Sequence, residues 1–80
     1  MTVMPYQNLS FESVPDAIRA EMTRQSITQD ELARRMDWKQ PQVSKRLRGQ
    51  VPFKADEIER IARALDVPLD QLMSPRALAG

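Results

Sequence analysis

Apolar side chains recur at helical intervals along most of this chain, whereas alternating apolar and polar runs are scarce. A repeat near 3.6 gathers such residues on one face of a helix; a half-buried strand needs a repeat of two. Only two glycines occur, Gly49 and Gly80, so tight hairpin turns are poorly provided for. The expected fold is all-α, in five short helices.

Val14, Ala17, Ile18 and Met22 form the first stripe, with Ser13 placed to cap it and Pro15 acceptable in a first turn. That helix is expected over about 14–25. Thr28-Gln29-Asp30-Glu31 reads as a capping box, in which hydroxyl and carboxylate each satisfy an amide of the same helix start. Leu32, Ala33 and Met36 form the buried face of this second helix, about 29–36. Pro41 opens a third, about 40–48, with Val43 and Leu47 on one face and Gly49 as a left-handed terminator. Pro52 and Phe53 make a connector. Ile58, Ile61, Ala62 and Leu65 give a fourth helix over about 55–65, and Leu69, Leu72 and Met73 a one-to-two-turn fifth. The expected core is Ile18, Met22, Leu32, Ala33, Met36, Val43, Leu47, Ile58, Ile61, Leu65 and Leu72, with Trp38 in the seam between the second and third helices.

The chain of 80 residues is expected to be one domain, with an arm over 1–12, a helical body over 13–74 and a tail over 75–80. Val3, Met4, Tyr6, Leu9 and Phe11 make the arm apolar enough to pack on the body or on a partner. There is no cysteine and no histidine, which removes thiol nucleophiles, Cys-ligated zinc, the commonest metal ligand and the commonest general acid/base. No cofactor, metal or catalysis is expected. No apolar run approaches the ~18 residues of a membrane span, so the expected location is cytoplasmic.

The net charge is only +1, yet its distribution is uneven. Residues 28–54 hold seven basic side chains (Arg34, Arg35, Lys39, Lys45, Arg46, Arg48 and Lys54) against Asp30, Glu31 and Asp37, while both flanking thirds are net acidic. Such a middle is either a solvated basic face or a surface built to meet an anion. The second and third helices are separated by about three residues, and the third carries much of the positive charge. That is the layout of a helix-turn-helix, whose second helix enters the DNA major groove.

The stretch from Ile27 to Gly49, ITQDELARRMDWKQPQVSKRLRG, resembles the helix-turn-helix of the lambda-repressor and Cro family of phage and bacterial regulators. Thr28-Gln29, Leu32-Ala33, Met36, Val43-Ser44 and Gly49 stand in the family's pattern, and DEIERIARALDVPLDQLM (56–73) is similar to its fourth and fifth helices. Two positions depart from that pattern. Asp37 replaces the usual turn glycine, and aspartate tolerates left-handed backbone better than most residues. Arg46 replaces an apolar residue, leaving Leu47 to fill the core and Arg46 to pair with an acid or phosphate.

The resemblance implies a repressor-like regulator reading double-stranded DNA, located on the nucleoid. It implies that Gln29 and Gln40 pair to address a base. Gln42 can hydrogen-bond adenine and Lys45 guanine, Ser44 can touch base or phosphate, and Pro41 can meet a thymine methyl. Thr28, Lys39, Arg48, Gln50 and Lys54 are expected on phosphates. Arg34 and Arg35 are expected to pair with Asp30 and Glu31 respectively, and Arg60 and Arg63 to lie on a solvated face. A homodimer is expected, using Leu69, Leu72, Met73, Leu78 and the arm. The alternative is an antitoxin-type module of the same fold that binds a toxin.

Overall fold

In a computed structural model, which describes residues 14–73, those residues form five α-helices and no strand: α1 (Val14–Gln25), α2 (Gln29–Met36), α3 (Gln40–Leu47), α4 (Ala55–Leu65) and α5 (Leu69–Met73). The arm, the Ser13 cap and the tail with Leu78 lie outside the described residues. The third helix stops one residue earlier than expected, because Arg48 is its cap and Gly49 turns left-handed at φ 81°. None of these helices is long and apolar enough to cross a membrane.

The first four helices end in the same way. Ser26, Asp37 and Asp66 each take a left-handed conformation immediately beyond a helix, and Gly49 does so one residue further on, after Arg48. Each donates its amide three residues back, and the next residue donates five back, as in Asp37 to Arg34 (3.2 Å) and Trp38 to Ala33 (2.8 Å). This is a Schellman motif, which satisfies carbonyls that the helix itself leaves unpaired. Ile27, Trp38 and Val67, the residues that follow three of these turns, pack against the core. Three of the four stops therefore also redirect an apolar side chain inward.

All eleven expected core residues are buried, joined by Val14, Ala17, Phe53 and Ala62. Phe53 is only 4% exposed, so the connector contributes to the core rather than merely spanning it. α2 packs on α3 and α4, while α1 bridges α3 and α5. Ala33 is 4% exposed on α2, where a larger side chain would push the helices apart. Two expectations need correction. Trp38 is half-buried rather than fully buried: it packs against the edge of the core, and the Arg46 guanidinium covers its ring, 4.6 Å from centroid to carbon. Leu72 is 1% exposed, held against the body by the packing of α5 on α1 and α4, so it adds nothing to an outer apolar surface.

Side chains from other elements hold the last carbonyls of several helices. Arg19 donates to Leu47 O, Gln25 to Leu65 O (2.7 Å), Arg35 to Ala64 O (2.8 Å) and Arg60 to Met36 O (2.7 Å). Arg60 and Arg63 are exposed as expected, and Arg60 also links α4 to α2. Arg34 pairs with Glu31 rather than Asp30, since the longer glutamate reaches both Arg34 and Arg35 (3.0 Å). The Glu31 carboxylate is thereby spent on arginines. Only the hydroxyl half of the capping box forms, with Glu31 N donating to Thr28 Oγ1 at 3.1 Å.

Glu21 is 4% exposed and accepts from Arg24, from Gln25 Nε2 at 2.7 Å and from Gln71 Nε2 at 2.8 Å, tying α1 to α5. The hydrogen bond from Arg24 holds its carboxyl below the ordinary value of 4.5; burial opposes this, and the amides of Gln25 and Gln71 reinforce it.

Three outcomes follow from this packing. Ala33→Leu should overpack the α2–α3 crossing and cost about 1–3 kcal/mol in urea unfolding; an unchanged midpoint would mean the helices do not meet there. Ser26→Gly should gain about 0.5–1 kcal/mol by relieving a left-handed serine, measurable in the same titration. A lowered folded-state pKa means that Glu21 stabilises fully above about pH 4.5 and that this contribution is lost as pH falls through the folded value. Glu21→Gln should therefore be less stable than the parent at pH 7 and converge on it in acid, as melts at pH 7, 4 and 3 would reveal.

Candidate nucleic-acid interface

The turn between α2 and α3 is Asp37-Trp38-Lys39, with Asp37 left-handed (φ 61°, ψ 39°) as its place in the sequence requires. α3 then starts without a side-chain cap from Lys39. Instead Gln42 Oε1 accepts the Lys39 amide at 2.8 Å, and Pro41 sits in the first turn, where a missing N–H costs nothing. Val43 and Leu47 turn inward. The opposite face is left to solvent: Gln40, Pro41, Gln42, Lys45 and Arg48 are exposed and Ser44 is half-buried.

At the start of this face Gln40 Nε2 donates to Gln29 Oε1 at 2.7 Å. The bond joins the first residues of α2 and α3 and fixes both side chains. A second N–H on Gln40, its carbonyl and the Gln29 amide nitrogen retain hydrogen-bonding capacity. Thr28, exposed beside them, uses its oxygen as an acceptor and keeps its hydroxyl proton for another partner. Gln42 is differently placed: its oxygen is committed to the Lys39 amide, leaving its NH2 group for outside contact.

Folding sorts the basic residues of the middle third into two sets. Arg34 and Arg35 pair with Glu31, and Arg46 pairs with Glu57 (3.3 Å). Lys39, Lys45, Arg48 and Lys54 are exposed, and none has a carboxylate within 4.0 Å among the described residues. The uncompensated charge thus lies on α3 and its two flanks. Lys54 caps α4, and its amide donates to Glu57 Oε1 at 2.9 Å. Gln50 lies exposed just beyond the Gly49 turn, where its amide closes on Lys45 O (2.9 Å).

Two features were not legible in the sequence. A cleft of about 280 Å3 at the start of α2 is lined by Arg19 and Thr23 of α1 together with Thr28 and Gln29. It brings a third helix to the edge of the face, and helical spacing within α1 gives no sign of that. Glu57, which lies in the first turn of α4 beside the exposed Asp56, is itself only 9% exposed. Burial works against its ionisation, but the Lys54 amide and the Arg46 guanidinium outweigh burial and hold its carboxyl below 4.5.

The sequence profile of a helix-turn-helix family matches residues 18–72, spanning α2, the turn, α3 and α4 and most of α1 and α5. No curated protein and no solved structure matches the chain. The profile match covers more than half of the sequence and coincides with the packed helices, so the chain belongs to the lambda-repressor-like helix-turn-helix family and is a DNA-binding helix-turn-helix regulator.

Proposed function

We propose that this protein is a sequence-specific transcriptional regulator, of the repressor or Cro type, that binds duplex DNA as a symmetric dimer with α3 in the major groove. The observation that carries the reading is the Gln40–Gln29 bond on the exposed side of the helix pair. A glutamine clamped at one end presents its remaining donor and acceptor in a fixed direction, as bidentate recognition of adenine needs. The major groove is about 12 Å wide, enough to admit one α-helix with its side chains. In that pose Lys45 addresses guanine, and Pro41, Gln42 and Ser44 lie over neighbouring base edges. Thr28, Lys39, Arg48, Gln50 and Lys54 ring the face as phosphate contacts, which set register without reading sequence.

A dimer would place two such helices on half-sites about one helical turn apart. Leu69, 37% exposed, and the half-buried Met73 supply the apolar start of its contact, without Leu72.

The test separates readers from anchors. An operator is first selected from random duplexes with the purified protein. Gln40→Ala and Lys45→Ala should each cost about 1–3 kcal/mol on that operator and little on scrambled duplex. Arg48→Ala and Lys54→Ala should weaken both duplexes alike and lower the log–log salt slope by about one unit per phosphate lost. Four variants that behave identically would leave α3 as a positively charged surface only. Failure of the parent to select any sequence, together with capture of a toxin-like partner, would favour the protein-binding alternative.

A further inference from the structure

The roll of a helix that buries only two residues depends on the contacts its neighbours add. α3 has only Val43 and Leu47 buried, and its backbone packs on α2 and α1, with few approaches to α4. Its start is tied to α2 by the Gln40–Gln29 bond and its last carbonyl to α1 by Arg19, and one further side chain ties it to α4. The Arg46 guanidinium donates to Glu57 through Nε at 3.3 Å and Nη2 at 3.5 Å, donates to Gln42 O at 3.1 Å and lies 4.6 Å from the centre of the Trp38 ring. It thus joins the turn before α3, the helix itself and the start of α4. Glu57 is anchored in turn, because its Oε1 also accepts the Lys54 amide at 2.9 Å. The side chains of Arg46 and Glu57 are only 14% and 11% exposed, which shields the pair from solvent and fixes its geometry.

We infer that Glu57 is a positioning residue for sequence reading: by holding Arg46 against Trp38 it fixes the roll of α3 and hence the direction in which Gln40 and Lys45 point. The inference rests on the DNA-reading function proposed above. A recognition constellation tolerates errors of only about 0.5 Å or 10–20°. Rolling α3 by that much would misplace every outward side chain while leaving their charges where nonspecific attraction needs them. The Glu57–Arg46 pair therefore governs discrimination between sequences rather than overall attraction to DNA.

Two variants keep the local shape and break the clamp. Glu57→Gln retains an oxygen for the Lys54 amide but loses the negative charge, and Arg46→Lys retains charge but loses the planar, forked contact with Trp38 and Glu57. Affinities for selected operator and scrambled duplex are measured well below each variant's melting temperature, together with emission from the chain's single tryptophan, Trp38. Each variant should lower the operator-to-scrambled ratio about tenfold, the worth of one lost base contact, with scrambled-duplex affinity unchanged or higher. The double variant should add little, since both changes break one clamp. A red-shifted Trp38 emission should accompany the loss. A ratio preserved within twofold in either folded variant overturns the inference, as does full additivity in the double variant or an equal fall on both duplexes. If the parent protein itself shows no sequence preference, the DNA-reading function fails and the inference falls with it.

Discussion

No helix among the described residues exceeds twelve residues, and helices so short do not persist alone in water. Each exists because its apolar side closes on a shared core, so the direction in which each helix ends matters as much as its own sequence. Four left-handed turns supply that direction. They stop α1 to α4 within one residue, and three of them return an apolar side chain to the core. The course of the chain from α2 into α3 is one product of this arrangement, set by the left-handed Asp37 turn.

Much of this was legible in the sequence because it is local. Helix bounds follow from the spacing of Val14, Ile18, Ile58, Ile61 and Leu65, from Pro41 and from Gly49, and these signals lie within a few residues of what they determine. The left-handed role of Asp37 was legible for the same reason. Phe53 was not, because it stands alone between Pro52 and Lys54 with no repeat to reveal its direction. Nor was the fate of the arginines: Arg60 finds Met36 O 24 residues away and Arg19 finds Leu47 O 28 away. Helical periodicity tells which face a residue occupies, but not which helix end lies opposite.

The candidate interface divides along the same line. Exposure of Gln40, Lys45 and Arg48 follows from the inward turn of Val43 and Leu47, and the pairing of Gln29 with Gln40 depends on two helix starts being adjacent. What only the folded chain reveals is selection among like charges. Seven basic residues in the sequence look equivalent, yet three are neutralised inside the protein's own framework and four remain on the outer face. The framework needs the planar group of arginine for its carbonyl and aromatic contacts, and most of the outer set is lysine.

The reciprocal contacts between α2 and α4 carry a consequence of their own. Arg35 of α2 ends on Ala64 O, and Arg60 of α4 ends on Met36 O, so each helix holds the other's terminus. A backbone carbonyl is a dipole with no net charge. These two links therefore depend less on dissolved ions than the bare cations on α3 do. A rise in ionic strength would therefore weaken the pull of the outer face on an anion, while these two links, each joining a cation to an uncharged oxygen, keep α2 and α4 together.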